Sequence, residues 1–233
     1  LMKSGIIYKG QSLLDGKPVV AIATYSDRNT KTGKVLQTYI IRSDISPLDA
    51  SKTGADFSIC GDCKFRGVPT SDPKRKQAVK RDCYVNLGQG PTIVYKAYKR
   101  GTYPMADTRA DRIALGAGRV VRLGTYGDPA AIPSWVWDQL LTGCETHLAY
   151  THQSGFRPDI AMQSADTKAQ AVAFWNNGAR TFRVITDLGD VVKGKEILCP
   201  ASKEGGRRVQ CNACKLCGGN STKSSKSIAI VQH

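Results

Sequence analysis

The clearest alternation along the chain lies in residues 19–42, where two extended stretches, VVAIATYS and LQTYIIR, flank the polar segment DRNTKTGK. Apolar positions recurring every second residue on both sides of a turn that contains Asn29 and Gly33 predict a β-hairpin. Between residues 43 and 90 that regularity is lost. Asp, Gly, Pro and Lys dominate, which predicts a long loop held by something other than an apolar core. After Pro91 helical and strand-like patterns alternate. Residues 92–100 and 106–117 predict helices and 119–123 a short strand. Residues 134–141, behind Pro133, predict a helix, and 147–151 and 160–163 predict strands. A helix over 167–177 and a strand over 181–185 follow. The last segment, 194–233, carries two Gly pairs and a Lys/Ser-rich stretch before the apolar run SIAIVQ.

Alternation of this kind predicts an α/β fold with parallel strands and crossover helices, in which strands buried on both faces need not alternate. The expected architecture is a partial or small (β/α) barrel with an N-terminal hairpin and cysteine-rich metal-binding loops. A doubly wound open sheet is the competing arrangement. No internal repeat or linker divides the chain, so 1–233 reads as one domain. Its segments are 1–90 (hairpin and first cysteine loop), 91–193 (alternating helices and strands) and 194–233 (second cysteine segment). Polar residues fall where the strands should end: Gly124, Tyr126 and Asp128, then His152 and Gln153, then Ser164 and Asp166, then Asp187. In barrels that C-terminal rim carries the active site.

The chain has 233 residues, 41% of them apolar and 23% charged, which places it among globular proteins. Its apolar runs have strand length rather than the roughly 20 residues a bilayer span needs, and no secretory apolar segment opens the sequence. The expectation is therefore a cytoplasmic protein without a membrane span. In a reducing compartment the eight cysteines read as metal ligands or reactive thiols rather than disulfides. Lys and Arg outnumber Asp and Glu by 34 to 19, and the net charge of +15 favours nucleic acid or another polyanion as partner.

The cysteine spacing is the sharpest chemical signal. Cys199, followed by Pro200, precedes Cys211, Cys214 and Cys217. Thiolates at i, i+3 and i+6 with a more distant Cys-Pro form the ligand pattern of a ferredoxin-like [4Fe–4S] iron–sulfur cluster. A tetrahedral four-cysteine zinc site is the alternative. Cys60, Cys63 and Cys83 form a second set with one ligand position unfilled. On an iron–sulfur cluster that position takes substrate or S-adenosylmethionine. On zinc it takes His, Asp or water, and a zinc knuckle that only staples the loop is the plainer reading. Cys144 reads as a buried structural cysteine, with the missing fourth ligand as the alternative.

In the segments CGDCKFRG, CYVNLGQGP, RLGTYGDPAAIP and CPASKEGGRRVQCNACKLCGG the chain resembles the phage proteins related to gene product eighty-eight. The resemblance covers roughly residues 29 to 220, and it implies location in an infected host but no particular reaction. The chain also looks like a distant relation of the radical S-adenosylmethionine superfamily. A cysteine trio follows the first strands, and a Gly-rich acidic strand end, Gly124 to Pro129, succeeds it. In that superfamily a similar Gly-Gly-Glu-Pro element contacts the cofactor's amino group, which implies cofactor contacts from Gly124, Tyr126, Gly127 and Asp128. The superfamily's compact cysteine trio is replaced here by a long gap between Cys63 and Cys83.

His147 and His152 flank HLAYTH and, in an extended chain, point to opposite faces. His152, at a strand end, is the candidate for the cofactor site, with a hydrogen-bonded structural histidine as the alternative. Asp166 precedes a helix and is expected either at the rim or as its N-cap. Lys74, Arg75, Lys76, Lys80 and Arg81 flank the first cysteine set, and Arg207 and Arg208 lie inside the second. A phosphate-bearing partner or plain solvated charge accounts for both groups. Tyr84, Tyr95, Tyr98 and Tyr103 are candidates for base stacking, with core packing the alternative for Tyr95 and Tyr98. The leading expectation is an iron–sulfur protein resembling radical S-adenosylmethionine enzymes. The alternative is a non-catalytic zinc or iron–sulfur protein that binds nucleic acid. A third reading is a metalloenzyme with an open zinc and His152 or Asp128 as general base.

Overall fold

A computed structural model describes residues 2–26, 32–206 and 209–232. The elements in chain order are β1 (Ser4–Gln11), β2 (Pro18–Ser26), β3 (Val35–Arg42), α1 (Pro47–Thr53), α2 (Phe57–Cys60), α3 (Gly90–Lys99), α4 (Arg109–Gly116) and β4 (Val120–Tyr126). They continue with α5 (Ser134–Leu141), β5 (Thr146–Leu148), β6 (Tyr150–Thr151), β7 (Met162–Ala165), α6 (Lys168–Asn176), β8 (Thr181–Ile185), β9 (Glu196–Leu198), α7 (Cys211–Cys214) and β10 (Ser227–Val231).

The strands form two five-stranded sheets, in the orders β1-β2-β3-β4-β5 and β6-β7-β8-β10-β9. β1, β2 and β3 pair antiparallel, and from β3 onward every neighbour is parallel. The sheets meet at residues 146–151, a single extended passage interrupted at Ala149. There the Ala149 N–H donates to the Cys217 carbonyl at 2.8 Å, and its carbonyl accepts from the Met162 N–H at 2.9 Å. The α/β class expected from the sequence holds, but no closed barrel forms among the described residues. The first two strands run antiparallel, β9 has only three residues, and the C-terminal cysteine segment packs on the inner face of the sheet, so β9 never meets β1.

Local chemistry explains the element boundaries. α6 begins with a capping box between Thr167 and Gln170, so Asp166 is not its cap. α1 is capped by Ser46, whose side chain accepts from the Asp49 N–H, and ends at Gly54 in the left-handed region. α5 buries Val136, Trp137 and Leu140 on one stripe, and the Trp137 indole donates to the Pro129 carbonyl at 2.9 Å. α4 crosses α5 at Gly116, where an added Cβ would lie 1.8 Å from the Leu140 carbonyl oxygen.

The hairpin of β2 and β3 matches the sequence pattern, although Asn29 lies outside the described residues. Residues 43–90 depart from the expected loop, because α1, α2 and a 3-10 turn over Lys64–Arg66 organise them. Three strands, β1, β9 and β10, are not predicted from the sequence pattern, which marks β10 only as an apolar run. Two cores result. The larger lies under the helices and includes Ile22, Leu36, Leu123, Trp137 and Leu140. The smaller lies on the opposite face of the parallel strands and joins Val35, Val120, Leu148, Met162 and Ile228 to Cys199 and Cys217. No helix among the described residues is long and apolar enough to cross a membrane.

Candidate functional site

The first cysteine set is built by local hydrogen bonding and then docked on the strand ends. Arg66 holds the loop. Its guanidinium pairs with Asp56 at 2.7 Å and donates to the Gly61 and Gly54 carbonyls, both at 2.9 Å. The long gap from Cys63 to Cys83 is folded back by an antiparallel bridge between Val68 and Val79, and the Cys83 N–H then donates to the Phe65 carbonyl at 3.1 Å. Cys60, Cys63 and Cys83 thereby lie within electrostatic reach of one another.

The loop sits on the C-terminal ends of β4 and β6. The Gln153 amide donates to the Cys60 carbonyl at 3.2 Å, and His152 Nε2 stands 3.8 Å from both Cys63 Sγ and Asp166 Oδ1. Lys64 lies 3.4 Å from the same Asp166 carboxylate. Burial pushes the Cys63 thiol up to about 12 and Cys60 well above its ordinary value. Burial also lowers the His152 imidazole, with the carboxylates of Asp166 and Asp128 opposing it. Thiols in this setting stay protonated and inert at neutral pH unless a cation compensates their charge.

The strand end over residues 124–128 serves the site mostly from behind. Gly124 and Gly127 have positive φ of 63° and 87°. A side chain at Gly124 would strike the Gly127 carbonyl, and one at Gly127 would strike Ile40. Their glycines are thus required by the turn itself. The Asp128 carboxylate accepts from the Thr151 hydroxyl and the His152 N–H at 2.7 Å each and from the Ala130 N–H at 2.9 Å. With its oxygens so occupied, Asp128 orients His152 and joins the ends of β4 and β6. Burial nonetheless raises its carboxyl above the usual range. Tyr126 is buried, its hydroxyl has no hydrogen-bond partner among the described residues, and the charges of Cys60 and Cys83 act on that phenol. A buried donor without an acceptor costs about 1–3 kcal/mol, so the Tyr126 hydroxyl marks room for an acceptor beside the cysteine trio.

The second set packs on the inner face of the parallel strands. The Cys199 N–H donates to the Ala229 carbonyl at 2.8 Å just past β9. α7 carries Cys211 and Cys214, and Lys215 turns the chain through a left-handed residue toward Cys217. Arg180 anchors the loop beyond, donating to the Leu216, Gly219 and Lys226 carbonyls. Burial pushes the Cys217 thiol up to about 12, with the nearby Tyr150 hydroxyl opposing the shift. The four thiols influence one another electrostatically. No disulfide joins any two cysteines among the described residues.

Among the described residues, no three Cys, His, Asp or Glu side chains are grouped as a single metal ion requires. A tetrahedral zinc with Zn–S bonds of about 2.3 Å draws its thiolates to about 3.8 Å from one another. A cluster of several irons places each thiolate on a different iron and takes a wider set.

The remaining candidates separate clearly. His147 lies on the face opposite His152, buried, with its Nε2 2.9 Å from the Ile160 carbonyl, so that nitrogen carries the proton. Burial lowers its pKa from 6.5. The unfolded chain therefore takes up a proton at higher pH than the native one. The stability this histidine confers is full above about pH 6.5 and is lost as pH falls below it. We expect urea midpoints to drop between pH 7 and pH 5 and His147→Gln to flatten that part of the profile. An unchanged slope in the variant would remove this assignment.

Cys144 packs against the larger core, as do Tyr95, Tyr98 and Tyr103. Lys74, Arg75, Lys76 and Lys80 are exposed, whereas Arg207 and Arg208 lie outside the described residues. Three contributors escaped the sequence reading. Arg66 and Arg180 are staples visible only through their partners. Arg122, in the middle of β4, donates to the Tyr84 hydroxyl and lies within electrostatic reach of Cys211 and Cys217. Comparison with known protein families, curated proteins and solved structures finds no match to this chain.

Proposed function

We propose that the chain is an iron–sulfur metalloprotein with an open (β/α)-barrel-like sheet. In this reading Cys199, Cys211, Cys214 and Cys217 hold one [4Fe–4S] cluster, and Cys60, Cys63 and Cys83 hold a second with one iron open to S-adenosylmethionine. The observation that carries the reading is the docking of the cysteine trio on the C-terminal ends of β4 and β6, beside the unpartnered Tyr126 hydroxyl. Parallel α/β sheets place their chemistry at that edge.

The chemistry such a centre supplies when bound is single-electron reduction. The chain's own residues would position and shield it. Arg66 fixes the Cys60–Cys63 turn, Asp128 orients His152 toward Cys63, and the Tyr126 hydroxyl is free to donate to a sulfur at the trio. Anaerobically purified protein should be brown, with sulfide near stoichiometry to iron and roughly seven to eight irons per chain. Given dithionite and S-adenosylmethionine it should release methionine and 5′-deoxyadenosine. A colourless protein containing zinc and no sulfide would overturn the reading and leave nucleic-acid binding by the basic loops in its place.

A further inference from the structure

Residues of one parity along β4, β6, β7, β8 and β10 are buried beneath the helices, among them Leu123, Thr151, Ala165, Arg183 and Ala229. Residues of the other parity form the inner face, and they divide into two layers. Val120, Leu148, Met162 and Ile228 are fully covered by the C-terminal cysteine segment. One step further along the strands, Arg122, Tyr150, Ser164, Phe182 and Ile230 are all only half-buried. The cysteine segment thus covers one end of the inner face and leaves the side chains toward the rim half-buried. Tyr84 reaches this face through its hydroxyl, which accepts from Arg122. The residue is 71% exposed, yet the surrounding protein still raises its phenol by desolvation, and the charges of Cys63, Cys83 and Cys211 act on it.

We propose that this half-buried face binds a small planar organic anion, its carboxylate or phosphate held by Arg122 and its ring lying against Tyr84 and the Tyr150–Phe182 pair. The first ground is the state of the arginine. The other buried arginines are satisfied within the protein: Arg42 by Asp44, Arg183 by Glu196, Arg112 by the Ile7 carbonyl and Gln139, and Arg180 by backbone carbonyls. Arg122 has the Tyr84 hydroxyl, and no carboxylate of the described residues pairs with it. A guanidinium presents five donors in a planar fork that matches a carboxylate or phosphate, and leaving a half-buried charge uncompensated is costly. The second ground is the wall. Tyr150 and Phe182 meet with ring centroids 4.5 Å apart and planes tilted by 56°, and the Arg122 guanidinium lies 5.8 Å from the Tyr84 ring centroid. Aromatic faces flanking a cation select a ligand with a flat body and a charged end.

The proposal extends the metal reading without depending on it: Arg122 and Tyr150 lie within electrostatic reach of Cys211 and Cys217, but neither they nor the other aromatic residues are among the proposed ligands. Isothermal titration of the full chain with benzoate, phenyl phosphate and inorganic phosphate tests it. At least one of the two aromatic anions should bind more tightly than inorganic phosphate, and the stronger of the two identifies the charged end. Arg122→Gln should weaken that binding at least tenfold, and Lys76→Gln, an exposed basic residue, should leave it unchanged. Tyr84→Ala, at an exposed position that tolerates truncation, should weaken the aromatic anions about fivefold and leave inorganic phosphate unaffected. Binding that is unaltered in Arg122→Gln would mean that the guanidinium only balances the charge of nearby thiolates, and the proposal would fall. It would fall equally if neither aromatic anion binds, or if Tyr84→Ala changes nothing. Loss of iron with anion binding intact would overturn the metal reading alone.

Discussion

Cys217→Ser is expected to empty the C-terminal metal site and loosen the inner face of the sheet together with it. The Cys217 side chain is buried near the Tyr150 hydroxyl, while its carbonyl accepts from the Ala149 N–H at the junction of the two sheets. The same residue packs in the smaller core with Val35, Val120 and Leu148. A thiol pushed up to about 12 by burial ionises at neutral pH only with a cation beside it, so ligand binding and local folding are linked there. Serine offers a weaker ligand and a hydroxyl in an apolar setting. Iron per chain should fall by about half, and the melting temperature should fall by about 10 °C, which corresponds to about 3 kcal/mol in a domain of this size. Cys144→Ser, placed against the larger core, should keep all of its iron. Full iron retention in Cys217→Ser would end the assignment of this site.

The second large effect is expected at Glu196. Its carboxylate is fully buried, receives two bonds from Arg183 at 2.9 and 2.6 Å, and accepts the Val192 N–H at 2.9 Å. The pair spans β10, whose register positions opposite Glu196 and Arg183 are the small Ser227 and Ala229. Glu196→Ala leaves a buried guanidinium without its counter-charge and should cost about 3–5 kcal/mol in urea unfolding. Because β9 leads directly into Cys199, iron bound at the C-terminal set should drop as well. Replacing both partners, Arg183→Met with Glu196→Leu, should recover much of the stability, since two apolar side chains bear no desolvation cost. A loss below about 1 kcal/mol in Glu196→Ala would show that the pair is bridged by water rather than desolvated.

The elements that could be read in advance are those whose signal is local. The β2–β3 hairpin announces itself through alternation, α5 and β8 through their apolar stripe and run, and both cysteine sets through their spacing. The parts that could not be read depend on partners distant in sequence. β9 is three residues long and becomes a strand only because β10 lies against it. β10 itself inserts between β8 and β9, an order that no local pattern encodes. Asp166 looked like a helix cap until Thr167 took that place and left its carboxylate facing Lys64 and His152.

By itself, then, the sequence determined the α/β class, most of the helices and strands, and the two groups of thiols, because periodicity and ligand spacing are properties of neighbouring residues. Tertiary structure decided everything that depends on what faces what. It returned Cys83 to Cys63 through the Val68–Val79 bridge, left the sheet open with the C-terminal cysteines plugging one end, and placed Arg122 beside Tyr84 without a carboxylate partner. Burial, counter-charge and hydrogen-bond satisfaction are settled between segments far apart in the chain, and on them rests whether a polar side chain is structural or open to a ligand.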